Sequence, residues 1–254
     1  MKITLEGVSF TYNGRSVLRS VNLEVESGKV YLLVGKNGSG KTTLLKILAG
    51  LLVPKGKVYV DGKVADHFLL RQLVGYVFQN PASQIIGATV EEDIIFSLEM
   101  LGIEREEMEK RLRTALKVVG LEGMEKEDPL NLSGGQKQRL AIASVLVRDP
   151  PFLALDEPVS MLDLPSQIEI FKLLLELKEK GKGIVIATHE LEYLEGVDEV
   201  VHLKDGMIDV RGSTTDFVMT GFPDVEIPFS LRILEKCRSC SKRRLEDAHT
   251  LDKR

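Results

Sequence analysis

The sequence predicts an α/β fold with a mostly parallel core sheet, an antiparallel β subdomain at the N-terminus and a helical insert between two parts of the core. Three observations lead there. Continuous apolar runs at Val30–Val34, Phe152–Leu155 and Ile184–Ala187 suit strands buried on both faces of a parallel sheet. Helical patterns follow the first two runs, at Thr42–Leu52 and Ser166–Lys180, which makes βαβ units the economical arrangement. From Gln79 to Leu130 the pattern reads as helical throughout, a helical insert within an α/β core.

In chain order, Ile3–Phe10, Val21–Val25 and Lys57–Val60 read as short strands, the last ending at the turn Asp61-Gly62. Alternation of apolar and polar residues marks them as antiparallel with one face exposed. Within the insert, Val90–Leu101 forms one helix and Glu104–Val119 another. The second places Met108, Leu112, Leu116 and Val119 on one face and has Gly120 as its stop. A last pair of strands, Glu199–Leu203 and Met207–Arg211, flanks Lys204-Asp205-Gly206. Residues 222–240 read as a short extension, followed by a basic tail.

Composition narrows the class. The chain has 254 residues, 43% hydrophobic and 28% charged, which matches a globular protein rather than a disordered or disulfide-stapled one. Residues 231–254 carry eight Lys/Arg and four Asp/Glu, so residues 1–230 hold a net charge of −8 within an overall −4. Such an acidic body does not suit nucleic acid phosphates. No stretch reaches the length of uncharged apolar residues that a membrane span needs, and Met1–Glu6 has no apolar signal core, so a cytoplasmic location is expected. Cys237 and Cys240 supply two of the four ligands of a structural zinc site, and a reduced pair in the tail is the simpler reading.

The chemistry begins at Gly35-Lys36-Asn37-Gly38-Ser39-Gly40-Lys41-Thr42, which fits G-x-x-x-x-G-K-[ST] between a buried strand and a helix, with Thr43 next in line. Glycines let successive backbone N–H groups point inward, the helix adds its positive end, Lys41 adds a point charge and the Thr42 hydroxyl suits Mg²⁺. This is the pattern of a P-loop, a backbone cradle for phosphate groups. Downstream, the run Phe152–Leu155 delivers Asp156 and Glu157 to the end of the sheet where ligands bind. One carboxylate can hold the metal through its water shell while the other polarises the attacking water. Acids often begin loops, and it is the intact P-loop that gives this pair its meaning.

Leu132-Ser133-Gly134-Gly135-Gln136, opening a helix before the acidic strand, resembles the signature of ABC-type ATPases. Other landmarks of that family follow in order over about residues 1–220. Tyr12 resembles the aromatic that stacks on adenine, and Gln79 the glutamine that joins the Mg²⁺ shell with Thr42 and Asp156. Ser160-Met161-Leu162-Asp163 resembles the loop that communicates with a second subunit, and His189 the switch histidine. A lone Tyr or His is more often structural; their place in this order is what marks them. The resemblance implies a dimer that sandwiches two ATP molecules, each between one subunit's 35–43 and the other's Ser133–Gln136. Glu157 would orient water and His189 hold the γ-phosphate. Val159, Met161 and Leu164-Pro165 depart from the family pattern on the loop facing the partner, which leaves both a homodimer and a heterodimer open.

The stretch Phe78-Gln79-Asn80-Pro81-Ala82-Ser83-Gln84-Ile85-Ile86, followed by Thr89–Phe96, resembles the ATPase subunits of energy-coupling factor (ECF) importers. The resemblance implies an extra helical turn lining a groove for a membrane scaffold's coupling helix. Gln84, Ile85 and Ile86 would form its floor, and Glu91, Glu92 and Asp93 would meet a basic partner or simply favour the helix dipole. It further implies a small membrane substrate-binding subunit, attachment to the cytoplasmic face of the membrane, and uptake of a vitamin, cofactor precursor or transition-metal ion. An ordinary importer ATPase fed by a soluble binding protein is the first alternative, and an ABC ATPase acting on ribosomes or DNA the second. The domains expected are 1–220 for the ATPase, with the helical insert at about 82–132, and 221–254 for the extension.

Overall fold

The computed structural model describes residues 1–189 and 196–220, the side chains of 218–220 excepted. Two long strands open the chain, β1 (Lys2–Tyr12) and β2 (Arg15–Glu26), paired antiparallel. Ile3, Leu5 and Val8 from the first, and Val21, Leu23 and Val25 from the second, turn inward and are buried. Next comes β3 (Val30–Val34), buried along its whole length, and α1 (Lys41–Leu48). The chain then returns to the first sheet with β4 (Lys55–Val60) and β5 (Lys63–Val64), completing the order β2-β1-β4-β5.

A helix α2 (His67–Leu73), capped by the Asp66 carboxylate accepting from the Leu69 N–H at 2.8 Å, leads into β6 (Val74–Val77). The insert follows: a 3-10 turn at Pro81–Ser83, α3 (Val90–Glu99), α4 (Arg105–Val119) and a second 3-10 turn at Pro129–Asn131. The core resumes with α5 (Gly134–Leu146), β7 (Phe152–Asp156), α6 (Leu164–Glu179), β8 (Gly183–Thr188), β9 (Glu199–Lys204), β10 (Met207–Gly212) and α7 (Thr214–Thr220). These strands form a six-stranded sheet of order β10-β9-β3-β8-β7-β6, parallel except for β10 at its edge.

Alternation along β3 shows how the large sheet divides two cores. Leu32 and Val34 face the helical side with Leu153, Leu155, Ile186, Ile94, Leu116 and Leu140. Tyr31 and Leu33 face the other side with Leu44, Leu45 and Leu48 of α1 and the inner face of the small sheet. The phosphate loop therefore leaves β3 between two packed layers.

Several boundaries differ from the sequence reading. Residues 79–130 are not helical throughout: Pro81 starts only a single 3-10 turn, and 84–89 is irregular backbone pinned by side chains. Helix α2 and strand β5 were not anticipated, and α1 stops at Leu48 rather than Leu52. The expected extension at 221–254, with Cys237 and Cys240, lies outside the described residues.

Candidate active site

The loop from Gly35 to Gly40 is shaped by what it packs against. Gly40 caps α1 with φ 110°, a left-handed conformation, and a Cβ there would stand 2.7 Å from Leu18 Cδ2. The loop is tied across the molecule: the Gly206 N–H donates to Ser39 O at 3.1 Å, and the Arg19 N–H donates to Gly206 O at 2.8 Å. Lys41 folds back over it, donating to Gly35 O at 2.7 Å and Lys36 O at 3.2 Å. Burial lowers the pKa of its ammonium, an effect opposed by the charges of Glu157 and Asp156.

Two carboxylates stand opposite. Asp156, at the end of β7, is buried; Thr42 Oγ1 donates to its Oδ1 at 3.0 Å and the Tyr76 hydroxyl to its Oδ2 at 2.9 Å. Burial, then the Asp156 charge, raises the Tyr76 pKa far above its ordinary value, so the phenol stays a donor. Glu157 leaves the strand with φ 45°, while its N–H still donates to Ala187 O at 2.9 Å. That left-handed turn costs roughly 1–2 kcal/mol for a residue with a Cβ, and it swings the carboxylate toward the loop. Its Oε2 accepts from Gln79 Nε2 at 3.0 Å, and its Oε1 lies 3.2 Å from His189 Nδ1.

A cavity of about 790 Å³ opens in front of these groups, lined among others by Tyr12, Asn37, Gly38, Lys41, Gln79 and Glu157. Thr42 and Thr43 also border it. Tyr12, half exposed, meets Phe10 edge-on with ring centroids 4.8 Å apart. Arg15, Asp205 and Gly206 line the same cavity and were missed in the sequence, as was the Tyr76 clamp on Asp156. Only a general signal marked the last: an aromatic run leading to Gln79.

Ser133–Gln136 do not line that cavity. They form a capping box at the start of α5, with the Gln136 N–H donating to Ser133 Oγ at 3.2 Å and the Ser133 N–H to Gln136 Oε1 at 2.8 Å. Gly134 and Gly135 lie between its two members. A Cβ on Gly135 would lie 2.6 Å from Ser166 Oγ, so its bare Cα is what lets α5 and α6 begin side by side. Ser160 Oγ donates to Glu157 O at 3.1 Å, directly behind the carboxylate. Asp163 caps α6; bonding from the Ser166 hydroxyl and N–H holds its carboxyl below the ordinary range. Met161 and Leu164 are exposed while Val159 is buried.

The acids read as partner contacts are engaged within the chain. Asp93, 4% exposed, accepts from the N–H groups of Ile86 at 2.7 Å and Gly87 at 3.0 Å and from Ser144 Oγ at 2.5 Å. Glu91 pairs with Lys126, and Glu92 accepts from the Ala88 N–H at 3.1 Å. Gln84 is no apolar floor either, since its amide bonds Ala141 O at 2.7 Å and the Phe78 N–H at 3.0 Å.

Residues 18–160 match the family described as ABC transporter. This chain belongs to the ABC transporter family. Over 237 residues, 93% of its length and 92% of the relative's, it is 65% identical to the energy-coupling factor transporter ATP-binding protein EcfA1 of Thermotoga maritima. Among solved structures it resembles CbiO1 of Clostridium perfringens, part of the ABC transporter complex CbiONQ, with TM-score 0.80 and 32% identity over 98% of both chains. It also resembles a dimeric ATP-binding cassette in a post-hydrolysis state bound to ADP and Pi, with TM-score 0.73 and 31% identity over 83% of this chain and 98% of the other. The ABC protein described here is thus an ATP-binding ATPase with the fold expected of that family. Among the described residues no helix is long and apolar enough to cross a membrane, and no three His, Cys, Asp or Glu side chains group as a metal site.

Proposed function

We propose that this ABC ATPase is the ATP-hydrolysing subunit of an ECF-type importer, bound peripherally at the cytoplasmic face of the membrane. It would act with a second ATPase, identical or a sister chain, a transmembrane scaffold and a small membrane substrate-binding subunit, taking up a vitamin, cofactor precursor or transition-metal ion. The observation that carries this is the 65% identity to an ECF ATPase over nearly the whole chain. Exposed apolar side chains agree with it: Phe78 precedes the pinned segment 84–89 and Ile86 lies within it, while Phe96 is on α3 and Met100 caps the C-terminal end of that helix. Together they offer a surface for a scaffold's coupling helix.

The geometry of the site supports the chemistry assigned to it. Backbone N–H groups of residues 35–43 and the Lys41 ammonium would bind the phosphates, and Tyr12 would stack on the base. Thr42 Oγ1, Asp156 and the Gln79 amide oxygen form a hard oxygen donor set that fits Mg²⁺, and these three would hold it. Mg²⁺, when bound with ATP, neutralises charge developing on the transferred phosphoryl group. Glu157 accepts a proton from the attacking water, once Gln79 releases its Oε2, and His189 contacts the γ-phosphate. Ser133, Gly134, Gly135 and Gln136 would face the nucleotide of the second subunit, with Ser160 and Asp163 at the seam between the two. Cleavage removes the charge that holds the seam shut. Residues 1–220 would form this ATPase unit and 221–254 an extension.

Native mass spectrometry of the tagged chain, purified from detergent-solubilised membranes of its own organism, tests the proposal. A membrane scaffold, a second ATPase and a small membrane protein recovered together are the expected result. Two large permease subunits would instead indicate an ordinary importer, and ribosomes, DNA or no membrane component would end the transport reading.

A further inference from the structure

A second, smaller cavity of about 170 Å³ lies where three parts of the site meet: the 79–82 segment, the start of α5 at Gly134, and Pro158–Leu162 after the catalytic carboxylate. Gln138 lines it from α5. Its side chain is 1% exposed, and its Nε2 has no hydrogen-bond partner. A buried amide donor left unpaired lowers stability, and an apolar side chain of the same shape would suit this position better. Such a group calls for an explanation, and a carbonyl met in another arrangement of the molecule supplies one.

The surroundings say which arrangement. Gln79 borders both this cavity and the nucleotide cavity. It bonds Glu157 here, so it must shift to free that carboxylate. The far end of the 79–84 segment is anchored on α5 itself, where Gln84 donates to Ala141 O at 2.7 Å. Gln79 therefore moves at the free end of a segment whose other end is anchored on the helix that carries Gln138.

We infer that Gln138 is a positioning residue: its Nε2 donates to a backbone carbonyl of the 79–82 segment when that segment moves to free Glu157, and so holds Gln79 in the hydrolytic position. This rests on the hydrolysis reading of the same site. Gln138 does not line the nucleotide cavity; it acts through Gln79.

The test uses the intact chain assembled with its membrane partners, with steady-state ATPase activity and thermal unfolding measured for wild type, Gln138→Met and Gln138→Glu. Methionine keeps the length and removes the donor. It should lower kcat about tenfold, the loss expected of one hydrogen bond, and leave the ATP KM within about twofold. Tm should be unchanged or higher. Glutamate regains a donor only when protonated, so its kcat relative to wild type should rise as pH is lowered from 8 to 6. Wild-type kcat in Gln138→Met overturns the inference, and so does a fall in Tm with kcat and KM changed together, which marks a structural amide. A flat pH ratio for Gln138→Glu also counts against it. Wild-type protein without ATPase activity would instead defeat the hydrolysis reading itself.

Discussion

Gln79 and Glu157 are joined by a hydrogen bond of 3.0 Å, from Nε2 of the one to Oε2 of the other. The residue assigned to nucleotide sensing thus occupies one oxygen of the residue assigned to activate water. His189 Nδ1 lies 3.2 Å from the second oxygen. Both oxygens are engaged, so in the proposed mechanism Gln79 must let go before Glu157 can accept a proton.

Glu157→Gln keeps the shape and removes the base. Steady-state ATPase activity should fall by about 10²–10⁴, the range for a general base, while ATP-driven dimers persist in size-exclusion chromatography. Undiminished turnover would take Glu157 out of the mechanism.

Lys41→Ala removes the charge that now bonds Gly35 O and Lys36 O. ATP affinity, followed by fluorescence titration, should weaken by roughly 10- to 100-fold, as for loss of one charged hydrogen bond. Wild-type affinity would show that backbone N–H groups alone hold the phosphates.

In Gly135→Ala the new methyl would sit 2.6 Å from Ser166 Oγ and 2.9 Å from its Cβ. Overpacking of this kind costs roughly 1–3 kcal/mol. Denaturant unfolding should show that loss, and combination with Ser166→Gly should be less than additive.

Asp93→Ala strands the N–H groups of Ile86 and Gly87 and the Ser144 hydroxyl in a buried place. A loss of roughly 2–4 kcal/mol follows from the unmade bonds and the cavity. Tm should fall by several degrees; an unchanged Tm would mean that segment 84–89 is held from elsewhere.

The capping carboxylate of Asp163 has a pKa depressed by Ser166. A depressed pKa means that the unfolded chain binds more protons in the window below about pH 4, so the contribution is complete above that window and lost as pH falls through it. The Tm gap between wild type and Asp163→Ala should therefore be widest near neutrality and close in acid, whereas a gap independent of pH would exclude an ionised cap.

Much of this was legible because strong local signals coincide with global ones. The runs at 30–34, 152–155 and 184–187 are buried on both faces as their composition implies, and the phosphate loop falls between strand and helix. What escaped is set partly by contacts distant in sequence and partly by a local turn. Strand β6 holds four residues, one of them Gly75, where a Cβ would lie 2.0 Å from Val145 Cγ1. Asn13-Gly14, both at positive φ, form the two-residue turn that carries β1 and β2 past Phe10 and brings Tyr12 opposite Arg15. The acids at 91–93 read as a charged surface, yet one of them is a buried clamp. Charge alone does not reveal which backbone groups a carboxylate will meet.

Strand β3 carries the phosphate loop, yet its two sheet neighbours are β8 and β9, both more than 140 residues further along the chain. On a ribosome, where residues emerge from the N-terminus onward, that strand has no edge to join until residues 183–204 have left the tunnel. The loop's tie to Gly206 comes later still. Competence to hold a nucleotide is therefore among the last properties this chain acquires during synthesis, and a truncated product that contains every residue of the phosphate motif lacks the scaffold that shapes it.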